Sequence, residues 1–362
     1  MEITAKMVKE LREMTGAGVM ACKNALVETD GDFDGAIEIL RKKGEATAVK
    51  KAGRIAAEGT VLAVVKEDKT AAIVEVNSET DFVAKNDKFR TFVAEVADHI
   101  LDLNVDTVEA LLEEKWDDTK TVKEELVSQI ATIGENMSIR RFVKLNSDGV
   151  VVPYIHAGGR IGVLVEASAA DANDNVKEAL KNIAMQIAAL NPKYTSRNDI
   201  SADELAKLRE ITVDSALNDT FTLPKPILQK LIDKAVSDKV WSDEDIAIYE
   251  EKKSNMNYLP NFLSSEAKAS LAELALADKA EIAENKIFAG LVEGRVSKQL
   301  KEICLLDQTY VKAEDGKQSV AQYVAQVGGF EIKGFVRYET GEGIEKKNED
   351  FAAEVAKQMA GN

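Results

Sequence analysis

The spacing of apolar residues predicts three short helices at the start of the chain. In the first of them, Thr4 suits the N-cap, and an apolar stripe from Met7 to Met14 stops at a glycine-containing turn. The other two helices are predicted over about residues 19–28 and 33–43. The basic, alanine-rich stretch that follows is typical of a helical linker with a solvated face. The pattern therefore predicts a small three-helix domain and its linker, residues 1–54.

A two-stranded hairpin is predicted next, because the period of the apolar residues changes. Residues 60–65 and 71–76 are β-branched apolar runs joined by a polar turn. The second run leads into residues that suit turns and N-caps, and a helix is predicted from there to about Leu103. This junction is expected to display Asp81 and Phe82 to solvent. The alternative is that Phe82 is an ordinary core residue and Asp81 only a helix cap.

The same order of elements recurs about 90 residues further along the chain. After two acidic amphipathic helices, strands over 149–156 and 160–167 are joined by a glycine turn and followed by a helix. Two hairpins that are each followed by a helix predict a duplicated α+β core with small antiparallel sheets. We place the first core subdomain at 55–145 and the second at 146–200 together with 285–340.

The segment 201–284 is almost wholly helical in pattern, which predicts a long helical insertion. Its binding partner is expected to be a second copy of the chain, giving a homodimer, or nothing. Beyond the core, the pattern predicts a short amphipathic helix around Phe351 in a C-terminal module over 341–362. An isolated helix of that length is marginal in water, so we expect it to dock on this fold or on a partner.

Charge and cysteine content exclude several classes of protein. The formal net charge is −16 for 362 residues, which disfavours nonspecific binding to nucleic acid. Cys22 and Cys304 are too few and too far apart for a disulfide scaffold or a zinc knuckle. There is no apolar run long enough for a membrane span and no pattern of a signal peptide. We therefore expect a cytoplasmic protein with no membrane partner.

The residues that most enzymes need are missing from the sequence. No phosphate-binding loop of the Gly-x-x-x-x-Gly-Lys-Ser/Thr type occurs, so the chain is not expected to bind a nucleotide of its own. His99 and His156 are the only histidines and lie far apart, which argues against a zinc site or a Ser-His triad. We therefore predict no cofactor, no metal and no enzymatic activity. Such a chain acts by binding another protein.

Four segments resemble, in the same order, the signatures of the elongation factor Ts family. The most specific is the turn Thr80-Asp81-Phe82-Val83, which follows a strand that carries Glu75-Val76-Asn77. The other three lie at residues 11–26, at 133–136 together with 139–141, and at 341–346. Each is weak alone, but four in the family's order make coincidence improbable. The resemblance fades over 201–284, which looks longer than the helical hairpin of the family.

The resemblance implies a fold and a function. It implies that the first three helices form a bundle of the ubiquitin-associated (UBA) type. It also implies a guanine-nucleotide exchange factor that binds elongation factor Tu in its GDP-bound form, disturbs its Mg²⁺ and phosphate site and promotes GDP release. The residues that the resemblance assigns to this partner are Thr80, Asp81, Phe82, Val83, Arg12, Met20, His156 and Phe351.

Other interpretations remain open for some of these residues and for the whole chain. Met20 lies beside a glycine turn, but methionine also fills gaps in cores. His156 ends a strand beside a glycine turn, which is more often a structural place than a functional one. The chain as a whole is alternatively a non-catalytic adaptor built on a UBA-like bundle, or an acidic, chaperone-like helical protein.

Overall fold

The computed structural model describes residues 3–169 and 173–345. The fold is 58% helical and 17% strand, with small antiparallel sheets, which confirms the predicted α+β class. The chain forms two compact units. The core unit runs from the start of the chain to Asn191 and resumes at Gln322, and the helical unit is Pro192–Ala321. The subdomain boundaries given above stay a prediction.

The N-terminal bundle of the core unit has the three predicted helices. They are α1 (Ala5–Thr15), α2 (Val19–Glu28) and α3 (Phe33–Lys51). The Thr4 hydroxyl accepts a hydrogen bond from the amide of Met7 at 3.3 Å and so caps α1 as expected. Helix α3 is longer than the predicted third helix, because the alanine-rich linker continues it without a break. Leu11 and Leu26 are fully buried at the centre of the bundle.

The first sheet carries the predicted hairpin and one strand that the pattern did not indicate. Its strands are antiparallel in the order β1-β2-β3, with β1 at Glu58–Lys66, β2 at Thr70–Ser78 and β3 at Met137–Asn146. Strand β3 was missed because a β-bulge breaks its alternation: Glu75 pairs with Arg141 but the next residue, Val76, pairs with Ile139. Arg140 is therefore the extra residue of β3.

Four helices lie along the chain between β2 and β3. They are α4 (Asp81–Ala84), α5 (Asp87–Asp102), α6 (Val108–Glu113) and α7 (Val122–Ile133). The single helix predicted from Asp81 to Leu103 was wrong, because the chain leaves the helix at Lys85 and Asn86. The side chain of Asn86 accepts a hydrogen bond from the amide of Lys88 at 2.9 Å and caps α5 afresh.

The second sheet repeats the plan of the first. Its strands are antiparallel in the order β4-β5-β6, with β4 at Val150–His156, β5 at Ile161–Ser168 and β6 at Glu331–Glu339. Helix α8 (Asp174–Leu190) follows the hairpin, as α4 and α5 follow the first one. The pairing of β5 with β6 also shifts at a glutamate, Glu166. A hairpin, a helix and a bulged third strand in both halves agree with the predicted duplication.

The helical unit has a core of its own. Its α-helices within the described residues are α9 (Ala202–Asn218), α10 (Lys225–Ser237), α11 (Asp243–Lys252), α12 (Ser265–Ala277), α13 (Lys279–Ala283) and α14 (Lys286–Ile303). Leu259, Leu271 and Phe288 are buried together in its core. Helix α15 (Val320–Val327) then leads back towards β6. The predicted helix around Phe351 lies outside the described residues.

None of the helices in the described part of the chain is long and apolar enough to cross a membrane. Cys22 and Cys304 are free and buried.

Candidate functional site

The turn at the end of β2 holds the four residues singled out from the sequence. Thr80 is the N-cap of α4, and its hydroxyl accepts a hydrogen bond from the amide of Val83 at 3.4 Å. Val83 is buried and packs into the core of the first sheet, where it contributes to the same cluster as Phe89. The ring of Phe82 points the other way and is 80% exposed. The turn therefore uses one apolar residue as an anchor and leaves the other free for contact.

Asp81 presents a negative charge beside this ring. Its carboxylate accepts a hydrogen bond from the Lys85 ammonium at 2.6 Å, one helical turn away. This hydrogen bond holds the pKa of Asp81 below its ordinary value. Asp81 is thus ionised at neutral pH and lies in solvent next to Phe82.

Two segments outside the turn support it. The Arg90 guanidinium of α5 donates to the carbonyl of Ala84 at 3.2 Å, at the end of α4. The Glu135 carboxylate accepts hydrogen bonds from both the amide and the hydroxyl of Thr80. Glu135 lies in one of the segments that carry the family resemblance, but local patterns indicated no role for it because its partner is 55 positions away.

The N-terminal bundle exposes an apolar edge at its glycine turn. Met20 is 64% exposed, so it does not fill a gap in the core of this unit. Met14 and Val19 are also exposed large apolar residues at the same turn. Arg12 is exposed on α1 and lines a groove with Lys9. The described residues thus leave Arg12 and Met20 accessible to a partner.

The bundle is attached to α7 close to the Phe82 turn. The Thr132 hydroxyl, near the end of α7, donates to the carbonyl of Gly16 at 3.4 Å. Gly16 belongs to the turn between α1 and α2, and Lys51 at the end of α3 donates to the carbonyl of Gly134. Since Glu135 follows directly, the bundle and the Phe82 turn are both supported by the C-terminal end of α7.

His156 lies in the second half of the core. It is exposed at the end of β4, and its Nδ1 is 3.0 Å from the Tyr154 hydroxyl. The glycine turn that follows is tied to the first sheet, because the carbonyl of Gly159 accepts a hydrogen bond from the Thr60 hydroxyl at 3.3 Å. His156 is therefore presented on a fixed turn, although no charged partner of it is found among the described residues. Phe351 lies outside the described residues.

A buried carboxylate joins the two halves of the core. Glu75 is fully buried and accepts hydrogen bonds from Arg140 at 2.9 Å, from Arg141 at 2.6 Å and from the amide of Gly341 at 2.8 Å. In a regular strand, successive side chains point to opposite faces, and the bulge at Arg140 lets two successive arginines reach one carboxylate. Gly341 has φ +73°, and a Cβ there would lie 2.1 Å from the carbonyl oxygen of Ala57. Only glycine fits this close approach.

Among residues 3–169 and 173–345, no group of three or more His, Cys, Asp or Glu side chains is placed to hold a metal ion. The arrangement described above is a set of exposed apolar and charged side chains on supported turns. It is suited to contact with another macromolecule.

Comparison with known proteins gives a consistent result. The family model described as "Elongation factor TS" matches residues 79–342, which include the Phe82 turn and Gly341. The chain is 44% identical to elongation factor Ts of Clostridium perfringens over 98% of both chains. It is 40% identical to those of Halothermothrix orenii and Clostridioides difficile over 99% of both chains. Alignments of this extent also include the segment that forms the helical unit. The chain therefore belongs to the elongation factor Ts family of translation elongation factors.

Proposed function

We propose that this chain is a guanine-nucleotide exchange factor for elongation factor Tu, the GTPase of translation elongation. The observation that carries the proposal is an exposed phenylalanine, Phe82, beside an ionised aspartate on a supported turn. Membership of the elongation factor Ts family identifies the partner class. The chain is expected to act in the cytoplasm, where its two free thiols stay reduced.

Exchange of this kind follows from differential binding. The GTPase holds GDP through its phosphate loop and through a Mg²⁺ ion that bridges phosphate oxygens and protein ligands. A factor that binds the nucleotide-free GTPase more tightly than the GDP-bound form weakens GDP binding by the same ratio. No bond is made or broken in this process, so the factor needs no catalytic residue, cofactor or metal of its own. It needs contacts that form fully only when GDP has left.

The ring of Phe82 is suited to supply such a contact. Burying a phenylalanine side chain that was exposed is worth about 1.5–3 kcal/mol. If the ring is buried only when elements of the GTPase near its Mg²⁺ site have moved apart, this energy favours the open form by about ten- to 150-fold. The anchor residue Val83 and the cap residue Thr80 keep the ring at the surface of the factor before contact.

Asp81 acts in the same place through charge. Its carboxylate is held ionised by Lys85. Placed near the partner's Mg²⁺ site, it competes for the water molecules and side chains that surround the ion. Mg²⁺ demands near-ideal octahedral geometry, so small displacements of the groups around the ion weaken its binding.

The remaining contacts hold the two proteins together. We propose that Arg12 and Met20 of the bundle, with Phe351 of the C-terminal module, bind the GTPase domain of the partner. His156, on its fixed turn in the second half of the core, is proposed to reach another domain of the same partner. These contacts are expected to set affinity, whereas Phe82 and Asp81 set the rate of GDP release.

Stopped-flow release of fluorescent GDP from elongation factor Tu tests the proposal. Phe82→Ala is expected to slow the maximal catalysed release by about ten- to 150-fold, with a much smaller change in the concentration of factor that gives half-maximal rate. Asp81→Ala is expected to have a smaller effect. Phe262→Ala is the matched control, since Phe262 is an exposed phenylalanine of the helical unit. If the Phe82→Ala chain releases GDP as fast as the wild type, the role of the ring is refuted. If the wild-type chain does not speed GDP release, the exchange function is refuted and the adaptor interpretation is favoured.

A homodimer through 201–284 is a separate proposal. The helical unit exposes large apolar residues such as Ile211 and Tyr258. Light scattering on the full chain, alone and with elongation factor Tu, measures whether two copies associate. A monomer under both conditions rules out the homodimer without affecting the exchange proposal.

A further inference from the structure

The helix that presents Phe82 is too short to be stable by itself. Helix α4 has four residues, Asp81–Ala84, which is about one turn. Helices far longer than this are marginal in water without tertiary support. Its conformation therefore depends on what holds its first turn.

A carboxylate distant in sequence replaces the usual local support of this turn. In a capping box, the N-cap hydroxyl accepts from the amide of residue N3, and a glutamate at N3 accepts from the N-cap amide. Here N3 is Val83, whose buried, apolar side chain cannot accept a hydrogen bond. Glu135 supplies the carboxylate instead: Oε2 accepts from the amide of Thr80 at 3.0 Å, and Oε1 accepts from its hydroxyl at 2.6 Å.

The second of these hydrogen bonds fixes the orientation of the cap. A threonine hydroxyl has one proton to donate and two lone pairs that accept. Because the proton of Thr80 is directed to Glu135, a lone pair remains for the amide of Val83. Glu135 thus holds Thr80 in place and keeps the Thr80 hydroxyl in the orientation that caps α4.

The neighbouring residues form the reciprocal contact. The Glu79 carboxylate accepts from the amide of Asn136 at 2.6 Å, and the Asn136 side chain donates to the carbonyl of Arg54 at 2.8 Å. Residues 79–80 and 135–136 are therefore linked by three hydrogen bonds in both directions. Residues 135–136, which hold the Phe82 turn, are therefore fixed by hydrogen bonds of their own.

The position of Glu135 is set by the end of α7. Gly134 ends this helix with φ +90°, a left-handed conformation that turns the chain back sharply. The helix is in turn fixed to the bundle, where Arg41 of α3 pairs with Glu124 at 3.0 Å. The carboxylate of Glu135 thus lies in the short connection between α7 and β3, two residues after a helix that is bonded to the bundle.

We propose that Glu135 is a positioning residue for nucleotide exchange, acting through Thr80 on the orientation of Phe82. This inference rests on the proposed function. Removal of the carboxylate leaves the N-cap residue Thr80 without the group that holds it, and the turn then spends more of its time frayed. Losses of N-cap interactions in other proteins correspond to about two- to thirty-fold in such an equilibrium. Insertion of the ring within the complex becomes less frequent by up to that factor, which is reached when the frayed form is the main one. The other contacts with the partner are unchanged.

Kinetics of GDP release from elongation factor Tu separate this role from a general loss of stability. Glu135→Ala is expected to lower the maximal release rate measurably, by at most about thirty-fold, while the half-saturating concentration of factor stays nearly the same. Glu135→Gln keeps one accepting oxygen of two and is expected to fall between wild type and alanine. Glu204→Ala is the matched control, because Glu204 makes the same pair of hydrogen bonds to the amide and hydroxyl of Ser201 in the helical unit. It is expected to release GDP at the wild-type rate.

A double-mutant cycle with Phe82→Ala decides whether Glu135 acts through the ring. In the Phe82→Ala background, Glu135→Ala is expected to slow release by less than about two-fold, because the ring that it positions is gone. The same slowing in both backgrounds, or no slowing in the wild-type background, overturns the positioning role.

Hydrogen exchange on the free chain gives a readout that does not depend on activity. The amide of Ala84 donates to the carbonyl of Thr80 at 3.3 Å, so its exchange reports the state of α4. Glu135→Ala is expected to speed exchange in residues 81–86 and to leave β2 unchanged, and unchanged exchange in residues 81–86 contradicts the support described here. A wild-type chain that leaves GDP release at its spontaneous rate refutes the proposed function itself. An active wild type with an equally active Glu135→Ala variant refutes only the positioning role.

Discussion

Replacing Glu75 with alanine is expected to destabilise the core unit more than any surface substitution. The carboxylate is fully buried and accepts hydrogen bonds from Arg140, Arg141 and the amide of Gly341. Removing it takes one acceptor from each of the two guanidinium groups and from the amide, while Arg141 keeps its ion pair with Glu342. Removal of one partner from a buried ion pair costs about 3–5 kcal/mol, because the remaining charge is left uncompensated.

The geometry places the expected value near the lower end of that range. The side chains of Arg140 and Arg141 are 27% and 30% exposed, so water reaches them when the carboxylate is gone. We therefore expect a loss of about 3 kcal/mol in the free energy of unfolding. For a unit of 150–250 residues this corresponds to a fall of about 6–12 °C in the melting midpoint.

Urea unfolding at pH 7 and calorimetry measure this loss. The control is Asp102→Ala, which removes an exposed ion pair with Lys66 of 2.9 Å and is expected to leave the melting midpoint unchanged. A Glu75→Ala chain as stable as the Asp102→Ala chain contradicts the reasoning, because the buried carboxylate then contributes nothing.

The pH dependence gives an independent check with a definite sign. Burial by itself raises the pKa of Glu75, but the Gly341 amide, the Asn77 side chain and the two arginines outweigh it and hold the pKa below its ordinary value. The unfolded chain has a glutamate pKa of about 4.3. The stabilisation is therefore complete above that pH and is lost as the pH falls through the lower pKa of the folded state. Glu75→Gln lacks this titration, so its stability deficit is expected to shrink below about pH 4. A deficit that stays constant with pH contradicts the assignment.

Two further predictions concern the helical unit. Leu271→Ala removes a fully buried side chain and is expected to cost about 2–5 kcal/mol in urea unfolding; a change below about 1 kcal/mol contradicts its place in the core. Burial, with Asp307 nearby, raises the pKa of the Cys304 thiol. We therefore expect this thiol to resist a thiol reagent at pH 8 in the folded chain and to react once urea unfolds it, and fast reaction of the folded chain contradicts its burial.

Local patterns were sufficient for the elements that are defined by neighbours in sequence. The three helices of the bundle, both hairpins and the turn at Asp81 and Phe82 all follow from residues within a few positions of each other. The exposure of Phe82 was an expectation with a stated alternative, since a phenylalanine at a helix start is more often a core residue. The structure resolves it through Val83, the next residue, which takes the buried position.

The features missed by the sequence analysis depend on contacts between distant segments. Strand β3 escaped notice because its bulge places Arg140 and Arg141 where alternation requires an apolar residue, and their shared acceptor is more than 60 positions earlier. The hydrogen bonds of Glu135 with Thr80 were not predicted for the same reason. The interruption between α4 and α5 has a local cause, because the side chain of Asn86 is the N-cap of α5. It was not predicted because the apolar stripe continues across it.

The turns that carry Phe82 and Met20 are attached to the end of the same helix, and this bears on the proposed exchange. Gly16 lies in the turn before Met20, and Thr80 lies two residues before Phe82. Both are hydrogen-bonded to residues at or just after the C-terminal end of α7. A partner that binds the bundle therefore meets the Phe82 ring at a separation set by one helix end, so little conformational freedom is lost when the ring is inserted. If the two turns were carried by independent loops, part of the binding energy would be consumed in ordering them, and less would remain to displace GDP. In the proposed exchange function, this shared attachment is what lets a four-residue helix act on a metal-bound nucleotide site.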